Sequence, residues 1–155
     1  MIKFTLNYQE VTSKRDPSSR MLDVLREEFH LFGSKEGCGE GECGACAILL
    51  NKRVVNSCLL ALGSIEGQSL ETIEGFSTTA RHAMLVECYE EMGAVQCGFC
   101  TPGMLIATES LLSKNPHPSI DEIKIGLAGN LCRCTGYTAI IKAVLLASER
   151  GEGLW

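Results

Sequence analysis

Nine cysteines in 155 residues, eight of them in two compact groups, constrain this chain more than any other feature. Cys38, Cys43, Cys46 and Cys58 form the first group and Cys97, Cys100, Cys132 and Cys134 the second, with Cys88 left over. At about 6% of the chain, cysteine is below the roughly 8–10% of a disulfide scaffold. The count is also odd, so disulfides explain the pattern poorly. Grouped thiols in a chain of this kind are better read as metal ligands, because thiolate is the soft donor that iron-sulfur clusters, zinc and copper select.

The rest of the composition narrows the setting. Hydrophobic residues are 45%, charged residues 21%, and the net charge is -5, a globular composition without a basic nucleic-acid face. No apolar run approaches the roughly 20 residues of a membrane-spanning helix. The N-terminus runs from Met1 straight into an alternating pattern, with no leader segment, which points to a cytoplasmic protein.

The pattern changes period midway. Ile2, Phe4, Leu6 and Tyr8 alternate with polar residues as a half-buried strand, and a weaker strand follows around residues 10–14. Met21, Leu22, Leu25 and Phe29 predict a helix of about nine residues. Residues 47–50 and 54–55, on either side of Asn51-Lys52-Arg53, read as a hairpin, and residues 70–73 as a last strand ending at Gly75. Beyond residue 80 the periodicity is helical. Ala83, Val86 and Met92, with Leu85 and Tyr89 beside them, mark one helix, and Thr101-Pro102 is expected to be the N-cap and first-position proline of a second. Ser119-Ile120-Asp121-Glu122 predicts a capping box for a third, and residues 138–148 a fourth. An α+β first half and an all-helical second half are therefore expected, with the boundary near Gly75 to Thr79.

In the first group, Cys38-x4-Cys43-x2-Cys46 followed after eleven residues by Cys58 is the plant-type ferredoxin spacing for a 2Fe-2S cluster. Gly37, Gly39, Gly41 and Gly44 are interleaved with the thiols, as a backbone wrapped closely around a cluster requires. Zinc needs four thiolates but not such a loop. Gly39-x-Gly41-x-x-Gly44 also matches the dinucleotide fingerprint, but a helix is expected before it and a strand after it, and Glu40 and Glu42 would repel a pyrophosphate.

In the second group, Cys97-x2-Cys100 and Cys132-x-Cys134 each lead into the start of an expected helix, whose positive end favours an anionic cluster. By spacing alone zinc and iron both remain open, although one intervening residue is shorter than common structural zinc pairs use. Arg133 is either a solvated, partner-facing charge or one that tunes a neighbouring cofactor. Cys88, at helical spacing from Leu85 and Met92, reads as a core cysteine. His30, His82 and His117 stand apart from both groups, and Trp155 ends a glycine-rich tail expected to fray.

Four segments together carry a family resemblance: residues 35–46, Val55-Asn56-Ser57-Cys58, residues 93–104, and Gly129-Asn130-Leu131-Cys132-Arg133-Cys134-Thr135-Gly136-Tyr137. In order and spacing the chain resembles the small iron-sulfur subunit of the molybdenum hydroxylases, the xanthine dehydrogenase and aldehyde oxidoreductase group. The resemblance implies a β-grasp 2Fe-2S ferredoxin-like domain over residues 1–76 and a four-helix 2Fe-2S-binding domain over residues 77–155. It implies Cys38, Cys43, Cys46 and Cys58 as ligands of one cluster and Cys97, Cys100, Cys132 and Cys134 as ligands of the other, with Gln96 and Cys134 touching a pterin. It further implies a molybdopterin-binding large subunit and an FAD-binding medium subunit as partners, in a dimer of heterotrimers. Electrons would run from molybdenum through the second cluster, then the first, to FAD. No general base, nucleophile or substrate pocket is then expected in this chain. A purine-type substrate is weakly preferred over an aldehyde or N-heterocycle. The competing readings are a free-standing ferredoxin-like carrier, which needs only one cluster, and a zinc-stabilised interaction protein.

Overall fold

The computed structural model describes all residues from Met1 to Trp155. Strands β1 (Ile2–Leu6), β2 (Gln9–Ser13), β3 (Ala47–Leu50), β4 (Arg53–Asn56) and β5 (Ser69–Glu71) form one sheet in the order β2-β1-β5-β3-β4. β1 runs parallel to β5, and every other neighbouring pair is antiparallel. Both hairpins turn on two residues with positive φ, Asn7-Tyr8 and Asn51-Lys52, the backbone whose twist suits a tight hairpin. Tyr8 therefore belongs to a turn and is exposed, and the expected strand stops at Leu6.

Helices are α1 (Met21–Asp23), α2 (Ile73–Phe76), α3 (Ala80–Glu91), α4 (Thr101–Leu112), α5 (Ile120–Gly126) and α6 (Thr138–Arg150). The single helix expected over Met21 to Phe29 is instead one α turn that widens into a π-helical segment, Val24–Glu28, closed by the Phe29 N–H on the Val24 carbonyl. Met21, Leu22, Val24 and Leu25 are all buried along this stretch. The last strand likewise ends at Glu71 rather than near Gly75. Asn7 bonds the Thr72 amide (2.8 Å) and hydroxyl (3.0 Å), and the chain turns into α2 there. Gly75 lies in that helix, and a side chain there would collide with Asn7, since a Cβ would stand 2.4 Å from Asn7 Oδ1. The α3 face that is buried consists of Leu85, Cys88 and Tyr89, whereas Ala83 is exposed and Met92 caps the helix end. The Ser119–Glu122 capping box forms as expected.

Strand β3 explains how the sheet and the helices meet. Its residues alternate between two cores: Ile48 joins Ile2, Phe4, Leu6, Leu25 and Leu70 on one face, while Ala47 and Leu49 join Phe76, Leu85, Tyr89, Met104 and Val144 on the other. A strand buried on both faces reads as an unbroken apolar run, which Ala47-Ile48-Leu49-Leu50 is. The neighbouring β4 is tied to α4 by the Val54 N–H on Ser110 Oγ (3.2 Å). No helix is long and apolar enough to cross a membrane.

The C-terminus does not fray. The Trp155 indole N–H donates to the buried carboxylate of Glu109 (2.7 Å), and the ring lies over Gly151, where a Cβ would meet it at 2.1 Å. Arg81 Nε is 2.8 Å from the other oxygen of Glu109, near enough to pair charges but not aligned for a hydrogen bond. A tail of small residues carries no periodic signal, so this anchor on α4 is invisible in the sequence.

Candidate metal centres

The loop between the π-helical segment and β3 holds three cysteines of the first group, and the turn after β4 supplies the fourth. Three backbone N–H groups, those of Glu40 (3.4 Å), Glu42 (3.3 Å) and Cys43 (3.4 Å), converge on Cys38 Sγ, and the Cys38 N–H points back at Cys43 Sγ (3.4 Å). Such inward N–H groups require a tightly curled backbone, and Gly39, Gly41 and Gly44 all have positive φ. Gly37 is required for space: a Cβ would lie 2.7 Å from Cys43 Sγ.

Surrounding residues hold the loop in place. Asn56 Nδ2 donates to the Gly41 carbonyl (2.8 Å), Ser57 Oγ to the Cys46 carbonyl (2.7 Å), and Leu22 packs beneath the buried Cys46 and Cys58. The amides of Glu40, Cys43 and Glu42 hold the Cys38 thiol down to about 7, whereas burial and then the neighbouring Cys46 push Cys58 up to about 11. Cys38 and Cys43 are bonded through their backbone N–H groups and thiols, and Cys38 and Cys46 both act on the Cys58 thiol.

The second group is assembled from two helix starts. Cys100 is the N-cap of α4, so Thr101 is already the first helical residue and not the cap that the Thr-Pro pair suggests. Cys132 and Cys134 lie on the loop that ends at Tyr137, the N-cap of α6. Cys134 Sγ is 3.5 Å from Cys97 Sγ, and Cys100 pairs with Cys132. Burial, then Cys132, pushes Cys100 up to about 12. Burial also works against Cys132, yet the Thr135 hydroxyl and the Thr135 and Cys134 amides hold it down to about 7. Each site thus has one thiol disposed to ionise beside others that resist, Cys58 at the first and both Cys100 and Cys134 at the second, the last raised by its bond with Cys97, and a metal would have to displace the protons that remain.

Thiols brought together by the loops, and N–H or O–H donors aimed at sulfur, fit a metal centre bound by thiolates at both places, although no three of these side chains already stand around one point. Gln96 and Cys134 are both exposed at the rim of the second site, as is Arg133. Val95, Phe99 and Leu131 surround them as exposed apolar side chains, and Leu59 stands exposed over Gly41 at the first site. Cys88 is fully buried among the helices, and His82 packs edge-on against Phe76 (5.4 Å), where burial lowers its pKa.

Four residues that the spacing of cysteines did not single out join or support the sites. The Leu131 N–H donates to the Cys43 carbonyl (2.9 Å), and Asn130 Nδ2 to the Gly44 carbonyl (3.1 Å). Thr135 and Tyr137 bond Cys132 from within its own loop. Only their closeness to cysteine in the chain could have marked them. The two loops also meet without room to spare: a Cβ on Gly44 would lie 2.4 Å from the Gly129 carbonyl oxygen, and one on Gly103 2.4 Å from that of Gly44.

Residues 4–77 match the family described as 2Fe-2S iron-sulfur cluster binding domain, and residues 72–145 the family described as 2Fe-2S binding domain. The chain is 45% identical over 149 residues to the nicotinate dehydrogenase small FeS subunit of Eubacterium barkeri, covering 96% of this chain and 95% of that one. It is 41% identical over 146 residues to the xanthine dehydrogenase iron-sulfur-binding subunit of Escherichia coli, covering 93% and 91%. The crystal structure of quinoline 2-oxidoreductase from Pseudomonas putida 86 superposes with a TM-score of 0.89 at 42% identity, covering 97% of this chain and 96% of that chain.

Proposed function

We propose an electron relay, starting from family membership: the chain belongs to the small iron-sulfur subunits of the molybdenum hydroxylases, the xanthine dehydrogenase and aldehyde oxidoreductase group. It is an oxidoreductase subunit with two 2Fe-2S-binding domains. In this reading Cys38, Cys43, Cys46 and Cys58 hold one cluster on a β-grasp domain, residues 1–76. Cys97, Cys100, Cys132 and Cys134 hold the other on a four-helix domain, residues 77–155. When bound, the clusters would carry electrons one at a time from a molybdopterin-binding large subunit, through the second site and then the first, to an FAD-binding medium subunit.

The observation that carries this reading is the bond between the loops. The Cys43 carbonyl accepts from the Leu131 N–H (2.9 Å), and Leu131 precedes Cys132 in the chain, so one hydrogen bond and a few covalent bonds join a cysteine of one site to a cysteine of the other. A free carrier needs one site, and an interaction protein needs no such contact between two. Gln96 and Cys134, exposed at the second site, are the residues offered to the pterin, and the exposed apolar side chains of Val95, Phe99 and Leu131 near them in the chain suit a subunit interface. Eight thiols kept free for metal suit a reducing compartment, and we place the complex in the cytoplasm as a dimer of heterotrimers. The substrate, bound by the large subunit, is a purine, an aldehyde or an N-heterocycle, with a purine weakly preferred.

The test is metal and flavin analysis of the complex isolated without dissociating its subunits. About four irons and about four acid-labile sulfides per chain, with molybdenum and FAD co-purifying, are expected. Iron and sulfide without molybdenum or flavin would favour the free carrier, and zinc without sulfide would overturn both cysteine assignments.

A further inference from the structure

The segment from Cys132 to the start of α6 closes on itself. The Cys132 N–H donates to Tyr137 Oη (2.9 Å), the Tyr137 N–H donates to Thr135 Oγ1 (3.3 Å), and Thr135 Oγ1 lies 3.1 Å from Cys132 Sγ. These three bonds make a ring that begins and ends on one cysteine. Between a thiol and a hydroxyl either could donate, but a ligating thiolate has no proton, so with metal bound Thr135 must be the donor. The same hydroxyl accepts the Tyr137 N–H, which polarises its O–H further toward sulfur.

The backbone of Tyr137 points the same way. It stands at φ +70, a left-handed conformation that is uncommon for a residue with a side chain and an outlier for a bulky one. Although Tyr137 is the N-cap of α6, its side chain makes no capping bond. What the conformation achieves is the ring: it brings the phenol back over the Cys132 amide while the Tyr137 N–H holds the Thr135 hydroxyl.

We infer that Thr135, held in place by Tyr137, is a positioning residue that sets the reduction potential of the second site through its hydrogen bond to Cys132. The inference rests on the two-cluster reading above. An added electron increases the negative charge on the ligating thiolates, and a donor aimed at one of them stabilises the reduced form more than the oxidised. At the first site that service to Cys38 comes from the backbone N–H groups of Glu40, Glu42 and Cys43, which no change of side chain removes. At the second site the Thr135 hydroxyl is the side-chain donor to Cys132, beside the backbone N–H groups of Thr135 and Cys134, and it is the one that a substitution removes.

The test is an EPR-monitored redox titration of the assembled complex carrying Thr135→Val or Thr135→Ser. Valine keeps the shape and removes the donor, while serine keeps the donor. With valine, the ratio of reduced to oxidised second cluster at a fixed ambient potential should fall about tenfold, a shift of about 59 mV to more negative potential for one electron. The first cluster should titrate unchanged, and serine should restore the second to its original potential. A valine variant whose second signal is intact and unshifted would overturn the inference, as would equal shifts of both clusters. If the valine variant does not load the second site, Thr135→Ala repeats the measurement without a β-branch in the loop. A native complex showing one cluster signal instead of two would refute the two-cluster reading, a failure separate from that of the Thr135 assignment.

Discussion

The two cysteine sites solve the same problem with different materials. The first is built from backbone: a glycine-rich loop turns its own N–H groups onto Cys38, with Asn56 and Ser57 holding the curl. The second is built from helix starts and side chains, with Cys100 capping α4 and a Thr135–Tyr137 ring bonding Cys132. Both end with one thiol held down to about 7 beside one pushed up to about 11 or about 12. The difference shows what each site tolerates. The first cradle depends on glycine for its curl, whereas the second adds to its backbone donors a side-chain donor, the Thr135 hydroxyl, that a substitution can remove.

The sharpest way to break that comparison is at the contact between the sites. Gly44→Ala forces a side chain onto a positive φ and toward the Gly129 carbonyl, where a Cβ would stand 2.4 Å away. A loss of about 2–4 kcal/mol is expected, read by denaturant unfolding of the chain, together with slower electron transfer between the clusters. An unchanged stability would mean that the loops are free to part and that their contact is incidental. Next in size, Trp155→Phe removes the indole N–H from the buried Glu109 and should cost about 1–3 kcal/mol, with both cluster signals retained. This separates stability lodged in the helical half from the chemistry of the sites. The smallest change, Ser119→Ala, strips the capping box from α5 and should cost about 1 kcal/mol by thermal unfolding, without altering either cluster's potential. A shift in potential there would show that the second site is sensitive to the whole helical half and not to its own loop.

The legibility of the chain in sequence follows the same division. The first site was readable because its spacing and its glycines state the same requirement twice, once as ligands and once as backbone. The hairpin around Asn51-Lys52, the capping box and the four helices of the second half were readable too, since each follows from local periodicity or turn chemistry. What escaped depends on distant partners. The π-helical turn over Val24–Glu28 leaves no mark on the apolar pattern, and the chain turns into α2 after Glu71 where Asn7, at the same end of the sheet, bonds Thr72. Trp155 finds Glu109 across 46 residues. Thr135 and Tyr137 lay in plain view beside Cys132, but the left-handed turn that aims them is a property of the folded loop.

The relay stands or falls on whether the two sites load independently and in series. Cys43→Ser in the assembled complex addresses this most directly, with iron, acid-labile sulfide and EPR measured on the same sample. About half the iron and sulfide should disappear, one EPR signal should survive with molybdenum still bound, and electron flow to flavin should fail. Full retention of iron, loss of both signals, or normal flow to flavin with the first site empty would contradict the proposed path.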